Sequence, residues 1–241
     1  MSHNLSSSGQ SVSDVESLAN WQQGDLLAEG GSASLYNAKG RDGAQAVMKI
    51  ARPGCEPYLL VEAQLLMLCG GVGSPALLAT GEINGQAVLL MERIHGQNDA
   101  QVAAPQSSED AKKRLRSLIE DIGSTLRFFH RLGWAHGDLK PENIITDRAG
   151  RRYLIDFGLA SLVRSTSLEG GSWEYLPREI LNGQTLTAQS RDVYAFAKLM
   201  SDYASKWRAC AAFSESESTS KQEQTQAQEF LAYLAPLLEL D

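Results

Sequence analysis

The chain has 241 residues, 43% hydrophobic and 21% charged, enough for one or two folded domains with buried cores. Lys and Arg number 22 against 29 Asp and Glu, and the net charge of −7 argues against a dedicated nucleic-acid binder, which needs a dense cationic surface. Cys55, Cys69 and Cys210 form no Cys-x-x-Cys pair, which speaks against a disulfide framework or a structural zinc, and no apolar run approaches the ~18 residues of a membrane span.

In chain order, residues 1–20 come first, with seven serines, no Lys or Arg and no continuous apolar segment. They read as a disordered tail and not as a secretory signal peptide, so the default compartment is the cytoplasm. From Trp21 to Glu92 the pattern predicts short strands around one helix. Ala46-Val47-Met48 and Ala87-Val88-Leu89-Leu90-Met91 are apolar runs framed by Gly, Asp, Asn or Gln. Between them, Pro57 suits the first turn of a helix that runs through Cys69 and stops at Gly70-Gly71.

Past Pro105 helical spacing takes over. Ser107 with Asp110 predicts an N-cap, and Leu115, Leu118, Ile119, Ile122, Leu126 and Phe129 repeat on one face up to about Arg131, where Leu132-Gly133 closes the helix. The only basic cluster, Lys112-Lys113-Arg114 with Arg116, falls on this helix and reads as a solvated face. Asn143–Thr146 and Tyr153–Ile155 flank Asp147-Arg148-Ala149-Gly150, a hairpin signal. Val193, Phe196, Met200, Tyr203, Trp207 and Cys210 mark a second long helix. Residues 214–229 are almost wholly polar, a linker or solvated helix, and Phe230–Leu238 predicts a last short helix.

The chemistry concentrates in His136-Gly137-Asp138-Leu139-Lys140-Pro141-Glu142-Asn143, at the junction of helix and hairpin, and in Asp156-Phe157-Gly158 beyond the hairpin. Asp138, Asn143 and Asp156 offer carboxylate and amide oxygens beside one ammonium, Lys140. Hard oxygen donors without imidazole or thiolate suit Mg²⁺ shared with substrate phosphates, and the lysine suits the charge of a transferring phosphoryl group.

These residues resemble the signature set of the protein kinases, and the resemblance runs in order from about Leu26 to Phe213. Leu27–Leu35 resembles the phosphate-covering loop, Ala46-Val47-Met48-Lys49 the third-strand lysine motif, Met91-Glu92-Arg93 the gatekeeper and hinge. Gly171–Glu179 resembles the end of the activation segment, and Asp192 in Arg191-Asp192-Val193-Tyr194 the buried aspartate that organises the catalytic loop. The wording Leu139-Lys140-Pro141-Glu142-Asn143 is that of Ser/Thr kinases. The resemblance implies an α+β bilobal fold, with a small antiparallel-sheet N-lobe at 21–95 and a helical C-lobe at 96–213 truncated after the long central helix. Residues 1–20 and 214–241 flank it as tail and linker.

The resemblance also implies roles. Lys49, oriented by Glu62, holds the nucleotide phosphates under Ala28, Gly30, Gly31, Ser32 and Ala33, with Met91 and Glu92 at the hinge. Glu56 is the rival partner for Lys49 but lies too early for a helical site. Asn143 and Asp156 carry Mg²⁺. Asp138 orients and deprotonates the acceptor hydroxyl, Lys140 steadies the γ-phosphate, and Ser172 bonds back to both. ATP and Mg²⁺ are the implied cofactors and a protein hydroxyl the implied acceptor, with no nucleic-acid or membrane-spanning role. His136 and Phe157 read as packing residues, as do Trp134 and Trp173, although Trp173 also suits a substrate contact. His95 and His130 show no partner pattern and read as structural or exposed.

Five departures qualify the match. Ala28 and Ala33 replace two of the family's three loop glycines and resist positive φ. Ser32 replaces the usual aromatic at the loop tip. Gly137 replaces the arginine that pairs with a phosphorylated activation loop, which implies activity without phosphate on Ser165, Thr166 or Ser167. Pro177-Arg178-Glu179 stands for Ala-Pro-Glu, which implies that Glu179 lacks its usual salt-bridge partner, and the 49 residues after Asp192 are too few for the complete set of late C-lobe helices. Such a minimal form resembles compact bacterial kinases, including secreted effectors acting in a host cell, with which the Ser-rich start is compatible. The favoured reading is a Ser/Thr protein kinase. The alternatives are a kinase for a small-molecule or glycolipid hydroxyl, suggested by His136-Gly137-Asp138, and a non-catalytic nucleotide-binding scaffold. A less usual transfer from ATP, such as adenylylation, would use the same motifs.

Overall fold

A computed structural model describes residues 18–103, 105 and 107–212. The expected tail before residue 18, the polar run at 214–229 and the short helix at 230–238 lie outside the described residues, as do the side chains of Trp207 and Cys210. The chain falls into two compact units: residues up to Leu59 with Ala76–Arg93, and Leu60–Pro75 with residues from Ile94 onward.

The first unit is a five-stranded antiparallel sheet. Its strands are β1 (Trp21–Glu29), β2 (Ala33–Gly40), β3 (Gln45–Ala51), β4 (Leu77–Ile83) and β5 (Gln86–Glu92), in the spatial order β1-β2-β3-β5-β4. Strand β5 pairs on both sides, and Val88, Leu89, Leu90 and Met91 are all buried, which is why its sequence is a continuous apolar run. On β3 the pleat alternates. Ala46 and Met48 enter a core with Ala38, Ala79, Val88 and Leu90, and Lys49 falls on the opposite face. Asn84 (φ 53°) and Gly85 (φ 77°) make the two-residue turn between β4 and β5, both in the left-handed region that such hairpins require. Leu18–Asn20, placed by composition in the polar tail, instead form a 3₁₀ turn, and Leu18 packs against the sheet core.

Helix α1 spans Glu56–Cys69, with Pro57 in its first turn as expected, and Gly70 and Gly71 follow it with positive φ. The second unit continues with β6 (Gly96–Asn98) and α2 (Ser108–Leu118), where the Ser107 hydroxyl accepts the Asp110 N–H at 3.1 Å, the expected N-cap. The single predicted helix from here to Arg131 is interrupted by a π turn at Ile119–Gly123 before α3 (Ser124–Arg131). Gly133 (φ 86°) then redirects the chain into β7 (Trp134–Ala135).

The expected hairpin is β8 (Ile144–Asp147) with β9 (Arg152–Leu154), and β6 pairs on the other side of β8. Strand β10 (Ser161–Leu162) pairs with β7. The short α4 (Arg178–Leu181) and the long α5 (Ala188–Ala212) follow. Phe196, Leu199, Met200 and Tyr203 of α5 are buried, as are Leu118, Ile119, Ile122, Leu126 and Phe129. This core supports the loop of predicted site residues from His136 to Asn143.

Candidate active site

The loop from His136 to Asn143 is held from below by one carboxylate. Asp192, on the first turns of α5 and 1% exposed, accepts the His136 N–H at 2.7 Å and the Gly137 N–H at 2.9 Å. The His130 Nε2 lies 3.0 Å from the same carboxylate. A buried carboxylate is tolerable only when its oxygens are satisfied, and here three donors do so. His130 is therefore a structural partner of Asp192. No local pattern could reveal that, because 62 residues separate the two.

His136 is completely buried and packs on Phe157 with ring centroids 5.0 Å apart, and Phe157 in turn meets Phe129 edge-on at 5.3 Å. The Asp138 N–H donates to His136 Nδ1 (3.2 Å), so the proton sits on Nε2 and donates to the Ile155 carbonyl (3.1 Å). His136 thus brackets the loop and the approach to Asp156. Trp173, read from sequence first as a packing residue, is instead 69% exposed.

On this frame four predicted site residues meet. The Asp138 Oδ1 accepts the Ser172 N–H at 2.8 Å, and its Oδ2 lies 2.7 Å from the Lys140 ammonium. Lys140 also donates to the Ser172 hydroxyl at 2.9 Å. The Asn143 amide donates to the Asp138 carbonyl (2.8 Å) and, more weakly, to its Oδ2 (3.3 Å). Both amide hydrogens of Asn143 are therefore engaged by Asp138, and its Oδ1 is the group's hard-oxygen acceptor. The Ile155 N–H donates to the Asn143 carbonyl (3.0 Å), so the residue before Asp156 is bonded to the loop at both its N–H and its carbonyl. Asp156 itself has φ 64°, one of only two non-glycine residues in the left-handed region among the described residues. Such strain persists where the surroundings over-determine it, as at functional sites.

Tyr175 lines a recess with Gly137, Asp138, Leu139, Ser172 and Leu176, and burial with nearby carboxylates (Asp202 foremost) pushes its hydroxyl pKa up to about 12. It stays neutral beside the Asp138 carboxylate. Glu179 is exposed.

Glu62 is fully buried on α1. The remaining predicted residues lie in the first unit. Lys49 on β3 is 4% exposed. Met91 and Glu92 end β5, where the Glu92 N–H donates to the Ala76 carbonyl (2.8 Å) and its carboxylate accepts the Ala76 N–H (3.2 Å). Gly30, Gly31 and Ser32 connect β1 to β2, flanked by Ala28 and Ala33, and the Gly30 N–H donates to the Ala33 carbonyl at 2.9 Å. None of these five residues has positive φ. The alanines at 28 and 33 therefore carry no positive-φ strain in this conformation.

Asp138, Lys140, Asn143, Ser172 and Asp192 thus form one bonded cluster around a single loop, and the family model described as "Protein kinase domain" matches residues 21–236. The chain belongs to the protein kinase family. It is 32% identical over 184 residues to the probable serine/threonine-protein kinase pknA2 of Bifidobacterium longum, covering 70% of this chain and 24% of that protein. It is 26% identical to the serine/threonine-protein kinase PknD of Mycobacterium tuberculosis, over 73% of this chain and 28% of that one. With sperm motility kinase 2B of Mus musculus it shares 26% identity over 73% of this chain and 37% of the other. The chain thus spans about a quarter to a third of the bacterial relatives' length. Among the described residues no helix is long and apolar enough to cross a membrane.

Proposed function

We propose that the protein transfers the γ-phosphate of ATP to a Ser or Thr hydroxyl of a protein, with Mg²⁺. The observation that carries this reading is the fixed carboxylate of Asp138. The Ser172 N–H holds one of its oxygens, and Lys140 with Asn143 holds the other. In phosphoryl transfer, positioning and charge neutralisation dominate the rate. Asp138 aligns the acceptor hydroxyl and takes its proton as the oxygen bonds to the γ-phosphorus and the bond to the β–γ bridging oxygen breaks, releasing ADP. Lys140 places a positive charge beside the phosphoryl oxygens as they gather charge.

The donor set fits a hard divalent cation. The Asn143 Oδ1 and the Asp156 carboxylate would hold Mg²⁺, which, when bound, neutralises phosphate charge. Lys49 and Glu62 would orient the nucleotide phosphates, with Ala28, Gly30, Gly31, Ser32 and Ala33 over them and Met91 and Glu92 at the base. The Leu139–Asn143 wording and the Ser/Thr kinase relatives support a protein acceptor.

The experiment is transfer from γ-labelled ATP with Mg²⁺, offering a generic basic protein in one arm and a panel of small alcohols and sugars in the other. Phosphate-sized labelling of Ser or Thr in the protein is the expected result. Labelling confined to the small molecules would replace the protein acceptor with the reading that His136-Gly137-Asp138 suggests. Binding of ATP without any transfer would leave a scaffold.

A further inference from the structure

Arg191 immediately precedes the aspartate that holds the catalytic loop, and it is only 5% exposed. Its NH1 donates to the Leu186 carbonyl and its NH2 to the Ser167 carbonyl, each at 2.8 Å. One guanidinium fork therefore ties the segment that follows Asp156-Phe157-Gly158 to the loop that enters α5. Two main-chain bonds run beside it: the Ala188 N–H donates to Ser165 (2.7 Å) and the Gln189 N–H to Val163 (3.1 Å). At its beginning the segment is held by the β7–β10 pair and by the bond from the Val163 N–H to the Gly133 carbonyl (3.0 Å).

All of these acceptors are main-chain oxygens. The Ser165 hydroxyl only accepts the Ser167 N–H (3.3 Å), and Thr166 and Ser167 are exposed. No hydroxyl that a kinase could modify takes part in the tether. The residue that in the family pairs with such a phosphate is Gly137 here. With φ at 84° and space for a Cβ only 2.2 Å from the Leu159 carbonyl oxygen, that position has no room for a side chain.

Burying a guanidinium costs desolvation, which is offset by the two charge-assisted bonds to the Leu186 and Ser167 carbonyls and by the negative charge of Asp192 close by. Lysine presents its donors from one nitrogen on a shorter reach and cannot span the two carbonyls as the guanidinium fork does. Arg191 and Asp192 sit on consecutive residues of α5, so one helical turn fixes both the segment and the loop that carries Asp138.

We propose that Arg191 is a positioning residue that clamps the activation segment through main-chain carbonyls, so that transfer requires no phosphate on Ser165, Thr166 or Ser167. This rests on the phosphotransferase reading above. The test uses the full chain, stripped with a generic protein phosphatase and checked by intact mass. The phosphate-free wild type and the S165A/T166A/S167A variant should label a basic protein at the untreated rate. R191K should lose about tenfold or more in kcat/KM for that acceptor, the worth of a charge-assisted bond, while Mg·ATP still raises its melting temperature. Trypsin should cut after the exposed Arg164 about tenfold faster in R191K than in wild type, because a released segment opens more often.

Loss of wild-type activity on dephosphorylation would overturn the proposal, as would an R191K variant with wild-type turnover and wild-type cleavage. The proteolysis reads the clamp without any transfer. A protected Arg164 in wild type, faster cutting in R191K and no labelled product would therefore refute the phosphotransferase reading alone.

Discussion

At Gly137 the backbone turns with φ 84° and the Leu159 carbonyl oxygen comes within 2.2 Å of where a Cβ would stand. The glycine is therefore a requirement of this loop, as well as the absence of an arginine. Gly137→Ala should cost about 1–3 kcal/mol from backbone strain alone, more with the steric clash, and should displace Asp138 enough to slow transfer. Denaturant melts and transfer rates check this together. Gly137→Arg should be no better, since the added guanidinium cannot recover what the Cβ disrupts. A Gly137→Arg variant at full stability with faster turnover would show the position to be merely vacant. His136, Asp138, Lys140 and Asn143 were readable as a site because they lie within eight residues of each other. His130 and Arg191 were not, because the groups they serve are distant in the chain or belong to the main chain.

The elements around the site are cross-braced by a buried polar network. Arg152 of β9 bonds Asp99 through Nε (3.2 Å) and the Ser117 hydroxyl through NH1 (2.8 Å), and the Thr146 hydroxyl also reaches Asp99. The Arg152 N–H donates to Asp121 (3.1 Å), a carboxylate carried by the π turn, so the extra residue in that turn serves the brace. The Tyr203 hydroxyl from α5 closes the network on Asp99 (3.5 Å), and burial, with Asp99 beside it, raises its pKa well above the ordinary tyrosine range. Both charged partners are almost fully buried, so Arg152→Ala leaves Asp99 uncompensated and should cost about 3–5 kcal/mol, read from chemical denaturation. A loss under about 1 kcal/mol would mean that water reaches the pair, as at an exposed bridge.

The elements were unevenly legible in sequence. The α5 face, the Ser107 cap and the β8–β9 hairpin follow directly from period and turn residues, and β5 from its apolar run. Strand β1 does not, since all but Trp21 of its residues are exposed and two register shifts break its alternation. The π turn leaves no trace in helical spacing, because Ile119 and Ile122 still face the core on either side of the extra residue. The Asn84-Gly85 turn between β4 and β5 did carry a readable signal, the Asn-Gly pair itself.

At the scale of the whole molecule, the family match from residue 21 to 236 and the ordered motifs identify a kinase. The second unit builds a carboxylate fixed at both oxygens on a core-anchored loop. The central claim is that Asp138 is the reacting centre, distinct from the groups that hold nucleotide. It is tested most directly by comparing Asp138→Ala with wild type in two readings, turnover with γ-labelled ATP and the Mg·ATP dissociation constant. The expected result is a fall in kcat of about 10²–10⁴ with ATP affinity nearly unchanged, since only acceptor alignment and proton removal are lost. Wild-type turnover in Asp138→Ala would contradict it, and would move the chemistry to another group.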